Sequence, residues 1–268
     1  RRMRPTAASL VVIIGFASAA HPQRVVPAWR AEATGAAAGR VALVMSGAAQ
    51  FASSPGCGQS YPELCVFDLD ACLWDKEMFE MTAVPTEADV VLGDLNGRGT
   101  GVIGVMSGRD RISLHSGALF ALQEHADGKY PGMRIALASS ANTPFAVQIG
   151  RKALTMLEVL PNLSVWELLT RDWDGADVNQ IGRQPPLSPD KSRTHFPRLR
   201  EATRVRYDRM LFFDDCNWGN HCAAVEAACK EPDTGRGVVT MRTPLGLGVT
   251  EFLAGIDAYA TANKHVLL

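Results

Sequence analysis

Three short apolar runs, each ending on polar or acidic residues, constrain this chain more than any other feature. Leu64-Cys65-Val66-Phe67 runs into Asp68-Leu69-Asp70, Arg134–Ala138 into Ser139-Ser140, and Met210–Phe213 into Asp214-Asp215. A run of four or five residues that is apolar on both sides fits a strand buried on both faces. Segments with helical periodicity separate these runs. Ser116–Ala126 carries Leu119, Phe120 and Leu122, and Thr143–Leu160 carries Val147, Ile149, Leu154, Leu157 and Val159 before Pro161 stops it. Lys191–Thr203, Asn217–Lys230 and Val249–Asn263 also read as helices. Val165–Leu169 and Gly237–Met241 read as further strands, and Gly175–Pro189 as loop. Strands that alternate with helices predict an α/β fold with a doubly wound, Rossmann-like parallel sheet. Ligands of such sheets bind at the carboxyl ends of the strands.

Composition narrows the function classes. The 268 residues carry a net charge of -1, with 47% hydrophobic and 21% charged residues. A nearly neutral chain is not expected to bind nucleic acid. It has no run of 18 apolar residues, so no stable membrane span is expected. Six cysteines do not make a disulfide scaffold.

The charge is uneven. Residues 1–62 hold six Arg and one acid, Glu32, which leaves 21 basic and 27 acidic residues in the remainder. Arg1, Arg2 and Arg4 precede the apolar run Ala7–Ala20, which is too short to span a bilayer and fits a secretory signal. The following stretch to Ser60 has the Ala, Gly, Ser and Arg content of a transit peptide. Residues 1–60 are therefore expected to be a disordered targeting presequence with a plastid or secretory destination. The alternative is a cytoplasmic protein.

The polar ends of the runs carry the chemistry. Asp68, Asp70, Asp214 and Asp215 would meet Ser139 and Lys191 at one crevice. Four carboxylates repel one another in a low-dielectric cleft. A hard divalent cation with oxygen ligands, such as Mg²⁺, relieves that repulsion. Taken singly, these residues have plainer roles: the acids and Ser139 as turn or cap residues, Lys191 as a solvated loop lysine. Trp74 reads as a packing residue at the mouth, His195 as a helix-surface residue or one beside the site, and Cys65, Cys72 and Cys216 as small buried hydrophobes. The spacing of Cys216, Cys222 and Cys229 does not suit zinc.

Asp68-x-Asp70, Ser139, Lys191 and Asp214-Asp215 occur in the order of the four motifs of the haloacid dehalogenase superfamily, which the chain resembles. Val66-Phe67-Asp68-Leu69-Asp70 with Leu73-Trp74, Ala138-Ser139, Lys191 followed by Thr194-His195-Phe196, and Leu211-Phe212-Phe213-Asp214-Asp215 look like its magnesium-dependent phosphatase-1 branch. The resemblance implies one phosphatase domain over 61–268 with a small loop or hairpin cap at 75–108. It implies that Asp68 is the nucleophile, Asp70 the general acid and base, and Ser139 and Lys191 catalytic partners that hold the phosphoryl group. Backbone N–H groups of Leu69, Asp70 and Ser140 would complete the phosphate cradle. It implies Mg²⁺ held by Asp68, the Asp70 carbonyl and one carboxylate of Asp214-Asp215, with Asp215 favoured. The expected substrate is a phosphorylated protein, phosphotyrosine included, or a phosphosugar.

Two features depart from the pattern: Cys72 stands where Thr or Val is usual, and the cap is longer than a short hairpin. A mutase of the superfamily would need a larger cap. A dehalogenase would not need the acid pair Asp214-Asp215. A phospho-accepting receiver would carry its acid pair on the first strand.

Overall fold

The structure is a computed structural model that describes residues 60–264; the expected presequence lies outside them except for Ser60. Strand β1 (Leu64–Phe67) is the first element among the described residues. An insertion follows, with a short turn at Met78–Glu80 and strands β2 (Val90–Asp94), β3 (Thr100–Ser107) and β4 (Asp110–Ile112). Then come α1 (Ser116–Ala126), β5 (Arg134–Ser139) and α2 (Pro144–Met156). A small hairpin, β6 (Glu158–Leu160) and β7 (Leu163–Ser164), leads into α3 (Val165–Arg171) and β8 (Gln180–Ile181). The chain ends with α4 (His195–Thr203), β9 (Met210–Asp214), α5 (His221–Ala228), β10 (Val239–Arg242) and α6 (Val249–Asn263).

The main sheet is parallel and runs β10-β9-β1-β5-β8. Chain order reverses between β1 and β9, so the crevice at their carboxyl ends is the topological switch point where such sheets bind ligands. Alternation along each strand feeds two cores. Cys65, Phe67, Ile135, Leu137, Leu211 and Phe213 pack with Leu154, Leu168 and Phe252 of α2, α3 and α6. Leu64, Val66, Ala136, Ala138, Met210 and Phe212 pack with Phe196, Leu199, Cys222 and Val225 of α4 and α5. Both faces are therefore covered, as the continuous apolar runs require.

The insertion is more ordered than a loop. It forms a three-stranded antiparallel sheet that reaches Ile112, beyond the expected limit of 108. Asn96 and Gly97 both have positive φ, and Arg98 N–H closes back on the Leu95 carbonyl, which makes a tight turn between β2 and β3. The two ends of the insertion are pinned together. Trp74 and Leu114 form an antiparallel bridge, Asp75 N–H donates to the Ser113 carbonyl, and His115 N–H donates to the Leu73 carbonyl.

Several expected elements differ. Val165–Leu169 is helix, because Ser164 and Glu167 form a reciprocal capping box that starts α3. The helix expected over Thr143–Leu160 stops at Met156, and the next residues pair as β6. The loop expected at Gly175–Pro189 contains β8, the edge strand of the main sheet. Helix α4 starts at His195 rather than Lys191, and α5 at His221 rather than Asn217.

Candidate active site

The strand ends set the floor of the site. Asp68 follows β1, and its N–H donates to the Phe213 carbonyl of β9, which fixes the chain as it leaves the sheet. Leu69–Leu73 then make one wide turn closed by Trp74 N–H on the Leu69 carbonyl. Ala71 in this turn has φ 51°, a left-handed conformation that costs a non-glycine residue energy. Cys216, just after β9 and Asp215, has φ 57°. Both carboxylate-bearing strand ends are therefore followed closely by a reversed residue that turns the chain sharply. Leu69 and Asp70 begin their turn, where N–H groups have no partner within the turn itself.

Lys191 joins the carboxylates. Its Nζ lies 2.8 Å from Asp68 Oδ1 and 2.7 Å from Asp214 Oδ2, and the side chain is 1% exposed. Burial works against the ammonium, but the two carboxylates outweigh it and hold its pKa above the usual lysine range. Asp214 spends both oxygens on the protein, because its Oδ1 accepts from Cys216 N–H at 2.8 Å. Burial pushes the Asp214 carboxyl up, and the Lys191 ammonium pulls it below its ordinary value. Asp68 goes the other way: burial raises it, and Lys191 only partly offsets this. Burial also raises Asp215, whose Oδ2 accepts from Asn217 N–H at 2.8 Å.

Ligand oxygens of Asp68, Asp214 and Asp215 lie within 4.8 Å of one another. Asp68 Oδ1 is buried and, apart from its ion pair, has no aligned hydrogen-bond donor. Three hard oxygen donors facing a single ammonium suit a divalent cation such as Mg²⁺.

Asp70 stands apart from this cluster. Its Oδ1 accepts from Trp74 Nε1 at 3.0 Å. Burial raises its pKa to about 7; the Glu77 carboxylate adds to the rise, and the Trp74 hydrogen bond opposes it. Trp74 is thus a buried packing residue that also orients Asp70. Ser139 ends β5, and with Ser140 it lines the cleft of about 380 Å³ that holds Asp68, Asp70 and Asp215. His195 lies behind Ser139. Burial, reinforced by Lys191, lowers its pKa to about 4, so the ring is neutral. Its Nε2–H then donates to the carbonyls of Ser139 and Gly182, each at 3.0 Å, and Nδ1 accepts from the Thr194 hydroxyl at 3.1 Å. His195 thereby locks the ends of β5 and β8 to α4.

Of the residues singled out in the sequence, Asp68, Asp70, Ser139, Ser140 and Asp215 line the cleft, Lys191 and Asp214 join it from beneath through their ion pairs, and Leu69 turns its side chain into the core. Sequence reasoning missed Glu77, Phe79, Asn142, Arg183, Trp218 and His221, which line the same cleft. Five of them sit in turns and loops, where periodicity carries no signal, and His221 is the first residue of α5.

Comparison with known proteins gives partial structural likenesses and a family. The Mg-complexed crystal structure of the phosphatase-domain-containing N-terminal part of a Bacteroides fragilis protein is similar at a TM-score of 0.41 and 18% identity. The likeness covers 74% of this chain and 41% of that one. A search of curated proteins finds no match. The acid phosphatase family, one of the haloacid dehalogenase-like phosphatase families, matches residues 60–262. With that match running from just before β1 to the last turn of α6, the chain belongs to the acid phosphatase family.

Proposed function

We propose that the chain hydrolyses phosphate monoesters in a Mg²⁺-dependent reaction that passes through an aspartyl-phosphate on Asp68. The carrying observation is the group of Asp68, Asp214 and Asp215 oxygens within 4.8 Å of one another, with the Lys191 ammonium paired to two of those side chains. Asp68, the Asp70 carbonyl and Asp215 would hold the cation. Asp215 is favoured over Asp214 because it lines the cleft, while both Asp214 oxygens are occupied by Lys191 and Cys216. Bound there, Mg²⁺ supplies positive charge against the phosphoryl oxygens.

The residues divide the work. Asp68 attacks phosphorus and forms the new P–O bond, while Asp70 gives its proton to the departing ester oxygen. Water then attacks the phosphoryl group. Asp70, now a carboxylate, takes its proton, and Asp68 is released with inorganic phosphate. Lys191 keeps Asp68 oriented and offsets charge, and Asp214 keeps Lys191 in place. Ser139 and the first N–H groups of the Leu69 turn would bind phosphoryl oxygens. The insertion is too small to enclose the site as a globular cap, and this supports a substrate as large as a phosphotyrosine protein or a phosphosugar.

The full chain should hydrolyse 4-nitrophenyl phosphate with Mg²⁺, lose that activity in EDTA and regain it when Mg²⁺ returns. Asp68→Asn should lower kcat by about 1,000-fold or more. Wild-type turnover in the Asp68→Asn protein would sink the mechanism.

A further inference from the structure

The cleft has two unlike sides. The sheet order places β9 on one side of β1, and β5 and β8 on the other. From the β5 and β8 side come the polar residues Asn142 and Arg183. From the β9 side comes Trp218, on the loop between β9 and α5, three residues after Asp215. Trp218 is 76% exposed, an unusual placement for the largest apolar side chain.

Trp218 is nevertheless held in place. Its Nε1–H donates to Glu77 Oε1 at 2.9 Å, a contact between residues 141 positions apart. Its ring meets Phe79 edge to face, with centroids 5.8 Å apart and planes at 81°. Phe79 is itself 45% exposed. Glu77 and Phe79 belong to the insertion, so these contacts join the two loops that flank the β1–β9 crevice. Anchoring the indole by its N–H and by an edge contact leaves much of its surface bare beside the reacting carboxylates. A fixed, exposed ring of this kind is a stacking platform.

We propose that Trp218, pinned by Glu77 and Phe79, determines specificity by stacking on a ring carried by the leaving group. The site would then favour phosphate monoesters of cyclic alcohols, aryl or sugar, over linear alkyl phosphates. The inference rests on the phosphatase reading above.

The test compares phenyl phosphate, glucose 6-phosphate and n-butyl phosphate as substrates of the full chain with Mg²⁺. Trp218→Ala should lower kcat/KM for a ring-bearing ester relative to butyl phosphate by about fivefold, mainly through KM. Trp218→Phe should restore most of the ratio, and Trp218→Leu, apolar but not aromatic, should not. A relative drop for either ring-bearing ester supports the stacking wall and names the ring. Equal changes for all three esters, or no change, overturn it. Melting curves of the variants guard against misfolding.

Binding separates this proposal from the one beneath it. In the Asp68→Asn background, calorimetry of phenyl phosphate against n-butyl phosphate should show the same Trp218-dependent ratio without turnover. If the wild type hydrolyses none of the three, the phosphatase reading falls, and the binding ratio still decides the role of Trp218.

Discussion

Two charge clusters in this molecule are built on opposite plans. Before β9 and β10, Arg206 pairs with Asp208 and Asp233, Arg200 with Glu231, and Arg236 with Asp208. Three guanidinium groups meet three carboxylates, and the cluster is balanced. At the carboxyl ends of β1 and β9, one ammonium faces Asp68, Asp214 and Asp215, with Asp70 nearby. The carboxyl groups respond accordingly. Arg200 holds Glu231 below its ordinary value, and Asp208 lies below its own because its arginines outweigh the effect of burial. Asp68 and Asp215 are pushed up by burial that no cation fully offsets. A balanced cluster serves the fold. An acid-rich one is destabilising on its own, and a bound divalent cation would relieve it.

The contrast can be broken most directly at the acid-rich end. Saturating Mg²⁺ at about 100 times its Kd should stabilise the wild type by about 2.7 kcal/mol. Asp215→Asn should erase most of that gain and leave the metal-free protein at least as stable as before, because one repelling carboxylate is gone. Melting curves with EDTA and with Mg²⁺ decide it. A full Mg²⁺ shift in Asp215→Asn would remove that carboxylate from the cation site.

The balanced cluster should behave in the reverse way. Asp208→Asn should cost about 2 kcal/mol of stability through its charge-assisted hydrogen bonds. The folded variant should keep kcat/KM within about twofold. Urea unfolding and steady-state kinetics measure the two effects, and a large kinetic loss would show that this cluster also serves catalysis.

The smallest effect should be a shift in pH dependence. In the proposed mechanism Asp70 enters the first step protonated, so kcat/KM should fall as pH rises through about 7. Glu77 adds repulsion that keeps the proton on Asp70. Glu77→Gln should therefore move this limb to lower pH by a fraction of a unit. A limb that stays in place or moves upward would deny Glu77 that influence.

The sequence made the centre of the molecule legible and left its periphery obscure. β1 and β9 are buried along their whole length, so continuous apolar runs marked them and the acids at their ends. β8 is only two residues long and borrows its place from β5, too short for any periodicity to show. The composition of Val165–Leu169 favours strand, and the deciding signal lay outside it, in Ser164 and Glu167 as a helix start. Lys191 was identifiable by order among the motifs, but its burial between two carboxylates depends on loop geometry. The pairing of Trp218 with Glu77 spans 141 positions and follows no local pattern.

The pinned base of the insertion also bears on how such a chain can diversify. The Trp74–Leu114 bridge and the bonds from Asp75 and His115 close the excursion before it reaches the sheet. Lengthening a loop that is already closed adds little entropic cost. The insertion is therefore a cassette closed at its base, yet it is not a detached one: Gln123 of α1 donates to the Leu95 carbonyl, and Glu158 of β6 accepts from Val102 N–H. Glu77 and Phe79 lie inside the cassette, and Trp218 lies outside it. A change on either side of that closure, at Glu77 and Phe79 or at Trp218, would thus reshape one edge of the cleft while Asp68 and Asp214 stay anchored by the strands of the main sheet.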